Sequence, residues 1–116
     1  MYIKSELKEK LLNQKIVGIY IGIDKDITLG LDNLFNIEII NTYTFSDRLE
    51  NLIGKSIIEI EEKKNSYIKL ILNDNSPIEI DMSDKGFNGP EAVLIRNKDE
   101  HYFCVIRDFD DTIEFD

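Results

Sequence analysis

Apolar and polar residues alternate along most of the chain, which is the pattern of strands that bury one face. Turn-forming clusters such as Asp32-Asn33 and Lys63-Lys64-Asn65-Ser66 separate the alternating segments. Six such segments are present. A short stretch with apolar residues at helical spacing precedes the first segment, and a second such stretch precedes the fourth. The predicted strands cover residues 16–23, 27–31, 34–40, 57–61, 67–72 and 78–82.

The pattern repeats with a period of 41 residues. Residues 2–42 align with residues 43–83 without a gap, and 12 of the 41 aligned positions are identical. Self-similarity at a fixed period indicates that one structural unit is used twice. Each copy predicts a short helix followed by a three-stranded meander. Each copy also predicts a helix N-cap and a left-handed residue after the helix, which are Ser5 and Asn13 in the first copy and Ser46 and Gly54 in the second.

We therefore predict an α+β, mainly β fold in a single domain over residues 1–116. The two pseudo-symmetric helix plus three-strand repeats are expected to form a small sandwich, a partly open barrel or a curved antiparallel sheet. Residues 84–116 add C-terminal strands, with a hairpin over 91–96 and 101–107 and a last strand over 112–115. A chain of 116 residues has room for one hydrophobic core.

The net charge of the chain argues against some classes of binding partner. The chain carries 23 acidic and 14 basic residues, a formal net charge of −9, and residues 99–116 hold seven of the acids and one arginine. This balance argues against nucleic acid as a partner, because phosphate contacts need clustered Lys and Arg. No apolar run approaches the roughly 18–20 residues that cross a bilayer, and the N-terminus lacks the apolar region of a secretory signal. We expect a cytoplasmic protein that does not bind membranes.

Residues that carry chemistry are scarce. His101 is the only histidine and Cys104 the only cysteine. The chain therefore lacks the His and Cys ligands of a typical zinc site and the second cysteine of an internal disulfide. His101 and Cys104 are three positions apart, and on a strand this spacing points their side chains to opposite faces. A Cys–His dyad is therefore not expected. We predict no enzymatic activity, no catalytic or metal-binding residues and no cofactor. Cys104 is expected to be a small buried side chain, and His101 an ordinary strand residue or a pH-sensitive contact.

The acidic C-terminal segment allows three interpretations. It could be a calcium site, although the Gly and the distal Glu of a calcium loop are missing. It could be a solvated edge strand whose like charges prevent aggregation. It could also be a docking surface for a basic protein, with aromatic residues as anchors. This third interpretation predicts a partner-binding surface made of Asp99, Glu100, Asp108, Phe109, Asp110, Asp111, Glu114 and Phe115.

The segment Gly89-Pro90-Glu91-Ala92 carries a family resemblance, together with the strands around it and Leu52-Ile53-Gly54-Lys55 upstream. Residues 49–106 resemble small bacterial proteins that are similar in size and acidity to immunity proteins, which neutralise toxins released by neighbouring cells. The resemblance implies a cytoplasmic binding protein without an active site, whose partner is a basic toxin such as a nuclease. In physical terms Pro90 fixes φ and the preceding Gly allows a tight entry into the strand.

Two other functions stay open at the level of sequence. A small-molecule-binding module would use a pocket between the two repeats, lined by Tyr20, Tyr43 or Tyr67. A structural or assembly subunit would use an exposed strand edge. The sequence does not indicate the oligomeric state.

Overall fold

The alternating segments form strands in the computed structural model, which describes residues 1–99, 101–107 and 111–115. This part of the chain contains one α-helix, α1 (Ser5–Leu11), ten strands, and short 3₁₀ helices at Leu49–Leu52 and Asp84–Gly86. The strands are β1 (Ile16–Ile21), β2 (Ile27–Leu31), β3 (Asn36–Ile39), β4 (Tyr43–Phe45), β5 (Ile57–Lys63), β6 (Tyr67–Leu72), β7 (Pro77–Asp81), β8 (Glu91–Arg96), β9 (Tyr102–Ile106) and β10 (Thr112–Phe115).

The strands form two antiparallel sheets. The six-stranded sheet has the order β1-β2-β3-β8-β9-β10, and the four-stranded sheet has the order β4-β7-β6-β5. The chain returns to the first sheet through β8, which pairs with β3 so that Ile37 lies opposite Ile95. The prediction of a mainly β, antiparallel fold is confirmed. The insertion of the C-terminal strands beside β3 was not predicted.

One cluster of buried apolar side chains draws on both sheets and on α1. Ile27 and Leu29 enter it from β2, Ile68 and Leu70 from β6, and Leu11 from α1. Complete burial of an aliphatic side chain of this size stabilises the fold by about 1.5–3 kcal/mol. The alternation that predicts the strands also selects which residues enter this core.

The helices differ in detail from the prediction. Ser5 is the first helical residue, and Lys4 holds the N-cap position. In the second copy the helix is a 3₁₀ turn, and Ser46 lies outside it. Asp47 supports this turn instead, because its Oδ1 accepts a hydrogen bond from Asn51 Nδ2 at 2.9 Å. No helix in the described part of the chain has the length and apolar character of a membrane span.

Residues 41 positions apart make matching backbone contacts where β1 and β5 begin. Ile16 N donates a hydrogen bond to Lys55 O at 2.8 Å, and Ile57 N donates one to Gln14 O at 3.1 Å. A shift of 41 residues converts Ile16 into Ile57 and Gln14 into Lys55. The two bonds are therefore exchanged when the two halves of the chain are exchanged.

Other local features recur with the same spacing. Lys15 and Ser56 form an antiparallel bridge with each other. Asn13 and Gly54 both have positive φ, at 65° and 92°, as predicted for residues that end helices. In addition, β1 and β5 each contain an irregularity after their first residue, between Ile16 and Gly18 in β1 and between Ile57 and Glu59 in β5.

The six-stranded sheet has an outer face that points away from the core. Across this face Glu38 lies opposite Leu94, Leu94 opposite Cys104, and Cys104 opposite Ile113. Cys104 is 2% exposed yet does not belong to the core cluster. The outer face therefore has an apolar part on β8–β10 that continues into an acidic residue on β3.

Candidate functional site

The described part of the predicted partner-binding surface lies on β10 and in the turns beside β9. Asp99, Asp111 and Glu114 are exposed. Asp111 Oδ2 lies 4.0 Å from Lys4 Nζ, and Glu114 Oε1 lies 3.6 Å from His101 Nδ1. Two of these three acids thus already face a basic group. The remaining predicted residues, Glu100, Asp108, Phe109 and Asp110, lie outside the described residues.

An aromatic pair occupies the outer face of β9 and β10, whereas Glu114 alternates to the opposite face with Phe103. The rings of Phe115 and Tyr102 stack with centroids 5.2 Å apart, and Phe115 is 39% exposed. The guanidinium carbon of Arg96 lies 5.6 Å from the Tyr102 ring centroid. Stacking of this kind restricts the relative orientation of the two rings. We define the outer apolar patch as Leu94, Tyr102, Cys104, Ile113 and Phe115.

The thiol in this patch is shielded. Burial, with a smaller effect from the charge of Glu91, raises the pKa of Cys104 to about 11. The thiolate is the reactive form of cysteine, so this side chain is unsuited to nucleophilic attack at neutral pH. The expectation that Cys104 is a small buried side chain is confirmed.

We predict that Cys104 resists alkylation in the folded protein. At pH 8 its reaction with iodoacetamide should be at least about a hundredfold slower than that of an unhindered thiol with a pKa near 8.5. The reaction should become fast in denaturing urea. Mass spectrometry of timed samples measures both rates, and rapid labelling of the folded chain would contradict the buried position.

Two adjoining cavities open where the chain leaves β3 and enters β4. Their volumes are 580 and 390 Å³, which lies in the range of small ligand pockets. The shared walls are formed by Asp24, Lys25, Ile40 and Asn88, with Asp26 and Glu38 in the first cavity and Asn41 and Tyr43 in the second. We call the two together the junction cavity.

A carboxyl pair forms one wall of the junction cavity. The Glu38 carboxyl group lies close enough to Asp26 for a side-chain hydrogen bond and a charge interaction. Burial, that hydrogen bond and the charge of Asp26 raise the pKa of Glu38, against a smaller opposing effect of Arg96. Burial, followed by the charge of Asp26, also raises the pKa of Tyr43. Gly22 leaves the space for this arrangement, since a Cβ at that position would collide with the Asp26 carboxylate.

We predict that Glu38→Gln stabilises the protein at neutral pH and has less effect at acidic pH. A raised pKa means that the folded state keeps a proton which the unfolded state has lost, so the wild-type stability falls as the pH rises through the Glu38 titration. Glutamine removes the repulsion between two acids, worth on the order of 0.5–1 kcal/mol at a partly exposed site. Urea unfolding at pH 4 and at pH 7.5 tests this, and a destabilised variant at pH 7.5 would contradict it.

A buried amide lies at the second cavity. Asn41 is 1% exposed, and its Nδ2 donates to Asp81 O at 2.8 Å and contacts the Met82 sulfur at 3.6 Å. Its Oδ1 accepts no hydrogen bond from any residue that the structure describes. An unsatisfied buried acceptor costs about 1–3 kcal/mol, so Asn41 lowers the stability of the fold at this position.

Comparison with known proteins does not assign this chain to a family. Neither family models nor curated proteins nor solved structures give a match to this chain. The described residues also contain no group of three or more His, Cys, Asp or Glu side chains placed to hold a metal ion.

A third cavity lies beneath α1. It has a volume of 350 Å³ and an apolar wall formed by Leu7, Phe35 and Phe103. Lys10 and Glu114 stand at the same cavity with opposite charges. Its lining thus offers apolar contact without a dominant charge.

The junction cavity was only partly anticipated by the sequence. Tyr43, a predicted pocket residue, lines the cavity. Tyr20 is exposed on the edge strand, while Tyr67 lies on the four-stranded sheet with Lys69 Nζ 4.3 Å from its ring centroid. Asp26 lies between two predicted strands, and Glu38 lies within the predicted strand 34–40. No local signal shows that these two carboxyl groups meet, because the register of β2 against β3 decides it.

Proposed function

We propose that this chain is a non-enzymatic protein-binding protein, most specifically a cytoplasmic immunity protein that neutralises a basic bacterial toxin. The observation that carries the proposal is the outer apolar patch. It presents the stacked Phe115 and Tyr102 at the surface, with Arg96 beside the Tyr102 ring and Glu38 at the β3 end of the neighbouring row of residues. An exposed aromatic anchor on a chain with a net charge of −9 fits a partner that combines positive charge with an apolar pocket.

Charge supports the same choice of partner. The net charge of −9 attracts a basic protein over long range and speeds its encounter at low salt. The acids Asp99, Asp111 and Glu114 are exposed, so a partner can reach them. The two that already face Lys4 and His101 would contribute mainly to orientation and association rate, since exposed ion pairs add little affinity.

The repeat gives the proposed binder its scaffold. We propose that the chain is a single domain whose two copies, 2–42 and 43–83, are related by a pseudo-two-fold axis near Lys15 and Ser56. The exchanged hydrogen bonds at Ile16 and Ile57 and the common core cluster support this. A scaffold of this kind uses its inward side chains for packing and leaves the outer sheet face for binding.

The test is co-expression with the product of the adjacent gene, which the proposal expects to be a basic toxin. Wild-type protein should restore growth and bind the purified toxin. The double variant Tyr102→Ala with Phe115→Ala should weaken binding at least 30-fold, because truncation of central anchors costs about 2 kcal/mol or more. Protection by this folded variant at full strength would contradict the patch as the docking surface.

The charges are tested separately. Neutral substitution of all six predicted acids, with Asn for Asp and Gln for Glu, should slow association at low salt at least tenfold and flatten its salt dependence. The substituted residues are Asp99, Glu100, Asp108, Asp110, Asp111 and Glu114. For the aromatic double variant, Ile58→Ala is the matched control, since Ile58 is an exposed apolar side chain on the four-stranded sheet. Unchanged association of the neutral variant would contradict an acidic docking surface.

A second candidate function is small-molecule binding, and the junction cavity favours it. Its volume and its mixed polar and apolar wall, with Tyr43 and Asn41 at one end, fit a small ligand. A thermal-shift screen of metabolites against the purified chain tests this, because a ligand at 100 times its Kd stabilises the fold by about 2.7 kcal/mol.

A further inference from the structure

β1 is an edge strand with an open side. In the six-stranded sheet β2 lies on one side of β1, and no strand among the described residues lies on the other. Backbone hydrogen bonds that the described residues make on this open side are confined to the start of the strand. There Ile16 N donates to Lys55 O, and Gly54 N donates to Ile16 O. The rest of β1 therefore offers its edge to another strand.

Two residues of β1 direct their backbone groups to the open side. Gly22 N donates to Asp26 O at 2.9 Å, which closes the hairpin between β1 and β2. In an antiparallel ladder the hydrogen-bonded positions alternate, so the backbone groups of Tyr20 face β2 while those of Ile19 and Ile21 face outward. Two N–H donors and two C=O acceptors are thus available to an added strand.

The side chains along this edge are apolar and exposed. Tyr20, Ile21 and Ile23 are each at least 62% exposed, and residues 16–23 carry no charge. These three residues expose roughly 500 Å² on each copy of the chain, so two copies paired here would cover about 1,000 Å². That area reaches the lower limit for a specific interface between proteins.

The equivalent edge in the second copy of the repeat is charged. β5 is the edge strand of the four-stranded sheet, and it follows β1 at a spacing of 41 residues. Charged residues of β5 occupy the positions of uncharged residues of β1: Glu61, Glu62 and Lys63 stand in place of Tyr20, Ile21 and Gly22. Charged side chains prevent an edge strand from pairing with other chains. The edge of β5 is protected in this way, and the edge of β1 is not.

We propose that β1 pairs with β1 of a second copy of this chain, antiparallel and with Tyr20 at the two-fold axis. Ile19 then lies opposite Ile21 of the second copy and Ile21 opposite its Ile19, so the outward groups form four hydrogen bonds. The two Tyr20 side chains meet in a pair without backbone hydrogen bonds, where side chains are closest.

A second copy fits this edge because the edge is complementary to itself. The outward donors and acceptors are placed symmetrically about Tyr20, and a two-fold axis closes the assembly at two copies. The chain has a net charge of −9, and an uncharged contact strand lets two copies meet without like charges at the contact. β10 lies at the opposite edge of the sheet, so pairing leaves the outer apolar patch free and does not depend on toxin neutralisation.

The test is the mass of the purified full chain, measured by sedimentation equilibrium between about 1 and 500 µM. The average mass should rise from 13.5 kDa toward twice that value and no further. A constant mass of one copy up to the highest concentration would overturn the proposal. Growth beyond two copies would also overturn it, because it would show open edge-to-edge aggregation instead of a closed pair.

Ile21→Glu tests the edge by introducing the residue type that the second repeat has at this position. The change occurs in both copies of the pair, so it should raise the Kd of dimerisation at least tenfold. Ile58→Glu is the matched control, because Ile58 is an exposed isoleucine on the edge strand β5. It should leave the Kd within twofold. Unchanged dimerisation of Ile21→Glu would show that β1 is not the contact.

A cysteine at the two-fold axis tests the register. Opposite residues in a pair without backbone hydrogen bonds have Cα atoms about 4.5 Å apart, which a disulfide can span. Tyr20→Cys should therefore form a covalent dimer in oxidised glutathione at least tenfold faster than Ile58→Cys. Cys104 is buried and does not compete in either variant. Equal rates for the two cysteine variants would contradict the proposed pairing.

Discussion

Glu62→Ala is expected to destabilise the fold by about 3 kcal/mol or more. The Glu62 side chain is 8% exposed and accepts hydrogen bonds from the backbone N of Tyr2 and, at 3.1 Å, of Ile3. Its Oε2 also lies 3.1 Å from Lys8 Nζ. Alanine leaves two backbone donors and a partly buried ammonium without their acceptor, and removal of one partner from such a group costs about 3–5 kcal/mol.

Urea unfolding followed by circular dichroism measures this effect. Glu61→Ala is the matched control, because Glu61 is the exposed neighbour on the same strand and its loss should change the stability by no more than about 0.5 kcal/mol. Hydrogen exchange at Tyr2 and Ile3 should accelerate in the Glu62 variant alone. Equal stability of the two alanine variants would contradict the anchoring of the N-terminus by Glu62.

Ile16→Ala and Ile57→Ala are expected to destabilise the fold by similar amounts, about 2–5 kcal/mol each. Both side chains are fully buried at the first position of β1 and β5, and they stand 41 residues apart. If the two copies are related by pseudo-symmetry, each deletion leaves an equivalent cavity in the common core. Agreement within about 1 kcal/mol is the expected result.

The same measurement on Val17→Ala and Ile58→Ala supplies the controls. These residues follow the buried pair, are also 41 positions apart and are exposed. Each should cost no more than about 0.5 kcal/mol. A large loss at Ile16 with little loss at Ile57 would show that the copies differ in packing and would contradict the proposed symmetry.

Most strands were predictable because their residues alternate over a sufficient length. The predicted segments 27–31, 67–72, 91–96 and 112–115 match β2, β6, β8 and β10 to the residue. By contrast, β4 has three residues, which is too short for a periodic signal. The second helix was predicted from apolar spacing and proved to be a 3₁₀ turn, since four residues give too few i to i+4 bonds for an α-helix.

The long-range partners could not be predicted, and the site depends on them. Nothing local indicates that β8 pairs with β3, so the row from Glu38 to Leu94 and Cys104 is visible only in the folded chain. Similarly, Asn41 is a short polar residue between strands and resembles many turn residues. Its importance arises from burial against Asp81, which lies far away in sequence.

The pairing of β3 with β8 also affects the order in which the two sheets can form during synthesis. Until β8 emerges, β3 has hydrogen-bonded only to β2, and its other edge stays open. The four-stranded sheet, built from residues 43–81, can assemble earlier because its strands are contiguous. The six-stranded sheet therefore cannot be completed until the last strands are synthesised. A prematurely terminated chain would expose the unpaired edge of β3, which is prone to aggregation and can be recognised by quality-control proteases.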